Sequence, residues 1–148
     1  PHLPVLTAHW GLSPSIAFSA FLFSLAHLNN PHLSFFGLFA ILIAGVLFAL
    51  AYIETGALYL SVALHFSWNF FQNFFGFPVS GFAFPSFFQL EIAGPELWTG
   101  GAFGPEAGFS GLILLVLATG AMLLYGHFRR QALGQPRPAT VPPEKNRP

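Results

Sequence analysis

Four near-continuous apolar stretches with almost no charge constrain the fold of this chain most strongly. They cover residues 14–28, 33–53, 57–77 and 109–128 of a 148-residue sequence that is 54% hydrophobic and only 7% charged. Typical soluble domains carry about 25% charged residues, and about 20 apolar residues are enough to cross a bilayer. We therefore predict an all-α, polytopic membrane helix bundle with about four visible transmembrane spans embedded in the lipid bilayer.

The basic residues predict the orientation of these spans. All five follow the last apolar stretch, within a Pro-rich tail at 129–148 that is too poor in apolar residues to pack and is predicted to be disordered. The positive-inside rule then predicts a cytoplasmic C-terminus. Counting back from it, the first and third spans are parallel and run outward, and the Gly-, Pro- and Phe-rich segment 78–108 is a lid or re-entrant loop on the other side.

The remaining composition excludes several classes of function. Five basic and five acidic residues give no net charge, and nucleic-acid binding needs a clustered basic face. The absence of cysteine excludes disulfides and thiolate metal sites. Imidazole, carboxylate and amide groups are left for any chemistry.

Two histidines, His27 and His65, lie within the first and third apolar stretches. An ionisable side chain inside a span is costly, so by default it marks a functional site. Because these spans are predicted to be parallel, a modest offset between the helices places both imidazoles at one depth. In the third span, helical spacing puts a polar stripe on one face that must look toward protein or water. The stripe consists of Ser61, His65, Asn69 and either Gln72 or Asn73.

Less specific interpretations of the same residues stay open. Polar side chains in spans also join helices by hydrogen bonds, and His27 taken singly fits an interfacial histidine near a helix end, beside Asn29 and Asn30. A b-type haem protein with His27 and His65 as axial ligands is a further alternative. Glu54, which precedes Thr55 and Gly56, is interpreted as a charge in the cap region at the inner interface.

Three strings of the sequence carry a more specific resemblance. They read FSLAH from Phe23 to His27, YIETGAL from Tyr52 to Leu58, and HFSWN from His65 to Asn69. In this order and spacing they resemble the second and third motifs of the CPBP intramembrane protease family, which groups CAAX-prenyl endopeptidases with bacteriocin-processing and self-immunity proteins. The later strings FFGFPVSG, at 74–81, and TGGAFGPEAG, at 99–108, also resemble bacterial members. The resemblance therefore covers roughly residues 1–128.

This resemblance implies a membrane metallo-endopeptidase of the bacterial cell membrane that hydrolyses a peptide bond in a membrane-associated peptide or protein substrate. His27, His65 and Asn69 are its implied catalytic residues, and residues 1–128 are the C-terminal part of its protease domain. His27 and His65 are also candidate ligands of a divalent metal such as zinc, although a catalytic zinc usually takes three protein ligands. A catalytically inactive membrane scaffold or a bacteriocin-immunity-type protein is the alternative.

The sequence departs from the family pattern in one respect. The first family motif, EExxxR, whose glutamate activates a water molecule, does not occur, and the first residue is Pro1 and not Met. We therefore expect an N-terminally truncated protein that is inactive as it stands, with no intramembrane carboxylate to serve as the base.

Overall fold

The computed structural model describes residues 10–134, and this part of the chain is helical, with no β-structure beyond one isolated bridge between Val79 and Phe82. The all-α prediction is therefore confirmed for the described residues. The helices are α1 (Leu12–Leu25), α2 (Phe35–Thr55), α3 (Tyr59–Phe74), the short α4 (Glu96–Thr99) and α5 (Phe109–Ala132), with 3₁₀ turns at Gly101–Phe103 and Pro105–Ala107.

Two of these helices, α2 and α5, are long and apolar enough to cross a bilayer. The other two main helices, α1 with 14 residues and α3 with 16, are shorter than the roughly 20 residues that a span needs. Large apolar side chains nevertheless face outward on the shorter and longer helices alike, with Phe66 of α3 67% exposed and Leu117 of α5 63% exposed. Outward apolar faces of this kind are suited to contact with lipid. The prediction of four spans stays a prediction.

Helix α2 forms the centre of the bundle, because α1, α3 and α5 all pack against it. Small side chains such as Ala40 and Ala51 are fully buried on α2 and let neighbouring backbones approach. Hydroxyl groups add bonds between helices: Ser24 of α1 donates to the Leu38 carbonyl at 3.3 Å, and Ser61 of α3 donates to the Phe48 carbonyl at 2.7 Å.

The ends of the helices differ from the predicted bounds in ways that matter for the site. The stop predicted around Gly56 is present, since Gly56 takes the left-handed conformation (φ 70°) and closes α2. The first helix, predicted to continue to Leu28, ends at Leu25 and passes into a turn. His27 is therefore a turn residue and not a helical one, which corrects the sequence-based placement.

The last helix is also longer than predicted. It does not end at Phe128 but continues through Arg129 and Arg130 to Ala132. Both arginines reach Glu54 at the end of α2: Arg130 forms an ion pair with its carboxylate, and Arg129 donates to its main-chain oxygen. These contacts with Glu54 explain why the helix continues through the two arginines. Glu54 is therefore a buried residue in an ion pair and not simply a charge in the cap region. The rest of the predicted tail, from residue 135, lies outside the described residues.

The Glu54 ion pair also fixes the relative directions of the helices. It joins the C-terminal ends of α2 and α5, so these two helices run in the same direction. Helix α1 packs against α2 with Ser24 beside Leu38 and Ala20 beside Gly45, so it runs the opposite way. Helix α3 follows α2 after residues 56–58 and packs back on it with Ser61 beside Phe48, so it also runs opposite to α2. The two helices that carry or precede the histidines are thus parallel, as predicted, while a cytoplasmic C-terminus stays a prediction.

Candidate active site

A cavity of about 100 Å³ lies between the end of α1, the middle of α2 and α3, and the loop that precedes α5. Its wall is mostly aliphatic and aromatic, and polar groups enter it from four separate segments of the chain. The polar and amphipathic members of the lining are His27, His65, Trp68, Asn69, Ser80 and Glu106. The cavity is large enough for a few water molecules.

The turn after α1 holds His27 by a hydrogen bond to the helix that it follows. The His27 Nδ1 donates to the main-chain oxygen of Phe23 at 2.7 Å. Because a carbonyl can only accept, Nδ1 carries the proton in the neutral ring, and Nε2 keeps its lone pair. The Phe23 ring packs on the imidazole with a centroid distance of 4.6 Å. The FxxxH spacing thus fixes both the position and the tautomer of His27.

Helix α3 brings His65 to the same aromatic surface. The His65 ring stacks on Phe48 at a centroid distance of 5.2 Å and lies 5.5 Å from Phe23. Since Phe23 also packs against His27, the separation of the two imidazoles cannot exceed the sum of their distances from this one ring. Asn69, one turn further along α3, lines the same cavity. The three residues proposed from the sequence are therefore brought together, and their chemical roles stay predictions.

The polar stripe predicted on α3 is divided among different surroundings. Ser61 joins α3 to α2 through the Phe48 carbonyl, so the helix-joining interpretation applies to this residue. Gln72 is buried and borders a second, apolar groove of about 700 Å³. Asn73 donates its Nδ2 to the Pro85 carbonyl at 3.2 Å and so holds the loop. Only His65 and Asn69 of the stripe line the cavity.

The site contains a carboxylate that the sequence analysis did not find. Glu106, in the 3₁₀ turn just before α5, is only 8% exposed and lines the cavity. Its Oε1 accepts a hydrogen bond from the Ser80 hydroxyl at 2.8 Å and another from the Ser80 main-chain N–H. The cavity therefore receives a carboxylate from a loop, whereas the expectation from the sequence concerned carboxylates within the membrane spans.

The backbone around Glu106 is closely packed and partly strained. Ser80 has a φ of 50°, a left-handed conformation that is uncommon for residues other than glycine. Gly104 has a φ of 105°, and a Cβ there would lie 2.2 Å from the main-chain oxygen of Pro78. Only glycine fits at this position, so the two loop segments meet backbone to backbone and hold the Glu106 side chain against Ser80. Strained residues of this kind cluster at functional sites.

Burial sets the electrostatic character of this carboxylate, which lies in a loop outside the long apolar helices. Burial raises the pKa of the Glu106 carboxyl above its ordinary value, because desolvation disfavours the charged form. The hydrogen bonds from Ser80 lower the pKa in opposition, and smaller contributions from His27 and Trp68 act in the same direction as Ser80.

The donor set does not match a complete catalytic zinc site. Within residues 10–134, no three His, Cys, Asp or Glu side chains lie close enough together to hold a metal ion. A catalytic zinc usually takes three protein ligands and a water molecule. The imidazoles of His27 and His65 supply at most two of these ligands, so the described residues do not form a complete catalytic zinc site.

The signal that would have identified Glu106 in the sequence is weak. The same loop also contains Glu91 and Glu96, which are exposed, and nothing in residue type separates them from Glu106. The flanking glycines of TGGAFGPEAG were the available sign, because glycines at close spacing mark backbone approach. Which part of the protein the backbone approaches depends on tertiary packing.

These features define a helical protein with long apolar helices and a partly enclosed cavity that collects imidazole, amide and carboxylate groups. A family model described as type II CAAX prenyl endopeptidase Rce1-like matches residues 3–71, slightly less than half of the 148 residues. This match supports the resemblance to the CPBP family, which is a family of proteases, and together with the two long apolar helices it supports a membrane protein. No curated protein matches the chain significantly, and no solved structure does so.

The matched segment contains His27, His65 and Asn69 but ends before Ser80 and Glu106. The family match thus supports the two motifs from which the first three residues were proposed. It says nothing of the carboxylate from the loop.

Proposed function

We propose that this protein is an intramembrane endopeptidase of the CPBP type that hydrolyses a peptide bond in a membrane-associated peptide or protein substrate. One observation carries the proposal: His27, His65 and Asn69, which lie on separate segments or turns, line one cavity of about 100 Å³ within an apolar bundle. A protease needs a group that takes a proton from water and groups that stabilise the oxyanion, and these residue types supply both.

His27 suits the role of proton acceptor. Its Nδ1 is engaged by the Phe23 carbonyl, so the lone pair of Nε2 is the free basic position. A water molecule that attacks the scissile carbonyl carbon transfers one proton to this nitrogen as the new C–O bond forms. The same proton then passes to the nitrogen of the leaving amine when the C–N bond breaks.

His65 and Asn69 suit the stabilisation of the oxyanion. They are one helical turn apart on α3, so their side chains project from the same face into the cavity. An imidazole N–H and the Asn69 amide N–H are both donors. Preorganised donors in a site of low dielectric stabilise a developing negative charge more effectively than water does.

The membrane placement belongs to the same proposal. Helices α1 and α3 complete the four spans together with α2 and α5, with their short lengths compensated by burial among the others and by the adjoining loops. The C-terminus is cytoplasmic in this arrangement because the basic residues follow α5. The protein then resides in a bacterial cell membrane.

The proposal is tested with the full natural chain in liposomes and a membrane-tethered reporter peptide, whose fragments are identified by mass spectrometry. His27→Asn removes the basic nitrogen, and Asn69→Ala removes an oxyanion donor. We expect the cleavage rate to fall by about 10² to 10⁴ for the first and by about 10² to 10³ for the second.

His32→Asn is the matched control. His32 is an exposed imidazole in the turn that follows the same helix, with a φ of 58° that asparagine also tolerates. We expect this variant to cleave at the wild-type rate. No cleavage by the full natural chain, together with normal folding, would favour the alternative of an inactive membrane scaffold or immunity-type protein.

A further inference from the structure

We infer that Glu106 is a fourth functional residue of this cavity, whose remaining carboxylate acceptor position accepts a hydrogen bond from the attacking water or from a ligand hydroxyl in its place. The inference rests on the proposed function for the identity of the water as nucleophile. It concerns a residue beyond the segment that the family match covers.

The first support is that the hydrogen bonds from Ser80 are distributed unequally between the two carboxylate oxygens. Both hydrogen bonds from Ser80, one from the main-chain N–H and one from the hydroxyl, go to Oε1. Neither bond goes to Oε2, and Trp68 adds one weaker side-chain hydrogen bond to the carboxylate, which lines the cavity. An ionised carboxylate has about four acceptor positions, so these three donors leave one for a water molecule or a ligand hydroxyl.

The second support is the position of the other acceptor. His27 faces the same cavity, and the Phe23 carbonyl holds its Nδ1–H so that Nε2 is an acceptor as well. A water molecule has two protons to donate. With one proton directed to His27 and the other to Glu106, the lone pairs of the water oxygen point away from both groups and are free to attack a carbonyl carbon.

The third support is the construction of the loop. A carboxylate kept only for solubility would point outward like Glu91, which is exposed on the same loop. Glu106 is instead turned inward by Ser80, which adopts a left-handed backbone to donate both of its groups. Backbone strain that is maintained to orient a single side chain is typical of a functional site.

The arrangement makes Glu106→Gln an informative variant. Because both Ser80 groups are donors, the Gln carbonyl oxygen has to occupy the position of Oε1, and the NH₂ group has to occupy the position of Oε2. The contacts with Ser80 are kept, while the group that faces the cavity changes from an acceptor to a donor. A purely structural role predicts little effect, and a water-orienting role predicts a large one.

Two measurements on the full natural chain separate this inference from the proposed function. The first is cleavage of the membrane-tethered reporter, for which Glu106→Gln should lower kcat by about 10²-fold with KM little changed. The second is the affinity of a non-cleavable reporter peptide that carries a hydroxyl-bearing carbon in place of the scissile carbonyl. We expect Glu106→Gln to weaken its binding about tenfold, because the ligand hydroxyl loses a hydrogen bond to a charged group. Glu91→Gln is the matched control and should leave both values unchanged.

The outcomes distinguish the two ideas. Cleavage that depends on His27 but proceeds at full rate in Glu106→Gln would overturn the role of Glu106 and leave the proposed function standing. No cleavage by the wild type, but hydroxyl-peptide binding that is lost in Glu106→Gln, would overturn the proposed function and support Glu106 as a ligand-binding residue. If Glu106→Gln fails to fold, Glu106→Asp tests the same role, since it shortens the reach of the acceptor and should weaken binding of the hydroxyl peptide. Equal binding by the wild type and Glu106→Asp would overturn the inference.

Discussion

Two glutamates at opposite ends of the bundle are buried to the same degree but have very different neighbours. Glu54 and Glu106 are each 8% exposed. Glu54 lies in the last turn of α2 and forms an ion pair with Arg130. Its main-chain oxygen accepts a hydrogen bond from a second arginine, Arg129. Glu106 is in a loop and has hydrogen bonds from Ser80, which carries no charge.

The difference shows how to separate a structural carboxylate from a functional one. Glu54 has a cation beside it, so its charge is balanced within the protein and has no need of a ligand. Glu106 is held by neutral donors, Ser80 and more weakly Trp68, and it lines a cavity where two histidines also lie. Burial alone does not identify a functional site. The distinction is whether the protein itself supplies all the charge and hydrogen-bond partners of the buried group.

The largest expected effect comes from removing the cation at the Glu54 end. Arg130→Gln leaves a buried carboxylate without its charge partner, which typically costs about 3 to 5 kcal/mol of stability. Because the Arg130 side chain is 19% exposed, we expect the lower part of that range. The measurement is unfolding in mixed micelles with increasing denaturing detergent. The cleavage rate per folded molecule should stay unchanged.

The double variant Glu54→Gln/Arg130→Gln checks the physical cause. Without either charge, no buried ion is left unpaired, so most of the lost stability should return. A double variant as unstable as Arg130→Gln alone would show that packing of the arginine stem, and not charge balance, stabilises this end. The two glutamates would then be less different than their neighbours indicate.

The second-largest expected effect on stability concerns Gly126, the residue of α5 against which the Glu54 side chain packs. A Cβ at Gly126 of α5 would lie 2.3 Å from the Glu54 carboxyl carbon, so Gly126→Ala forces the ion pair to move. Overpacking of this kind costs about 1 to 3 kcal/mol. Gly120→Ala is the matched control, since a Cβ there meets no atom within 4 Å, and it should not destabilise the protein. Equal stability of the two variants would contradict the close contact.

The sequence was sufficient to predict the parts of this structure that depend on local patterns. Apolar runs located the helices, and Gly56 closed α2 as predicted. The position of His27 and His65 in two apolar stretches predicted that their side chains meet, and both lie on the ring of Phe23. These features follow from helix periodicity and from the cost of polar groups in an apolar environment.

The missed features depend on contacts between distant parts of the chain. Glu54 and Arg130 are separated by 76 residues, and Ser80 and Glu106 by 26. No local pattern indicates which of several glutamates meets an arginine and which meets a serine. The extension of α5 to Ala132 has the same origin, because Arg129 and Arg130 are polar residues that sequence patterns assign to a tail until Glu54 is known to bind them.

The smallest expected effect concerns the hydroxyl that holds Glu106. Ser80→Ala removes the bond of 2.8 Å to Oε1 and keeps the main-chain N–H, at a cost of about 1.5 kcal/mol for a bond to a charged group. Because this bond favours the ionised form, its loss raises the pKa of Glu106 further. The destabilisation should therefore be present at neutral pH and shrink as the pH falls through the pKa of Glu106. The acidic limb of the cleavage profile should also move to higher pH.

Ser86→Ala, whose hydroxyl donates to the Phe88 carbonyl at 2.7 Å, is the matched control and should show no such pH dependence. A loss of stability in Ser80→Ala that does not depend on pH would mean that Glu106 is not ionised at neutral pH. Glu106 and the ion-paired Glu54 would then differ in their protonation state as well as in their partners.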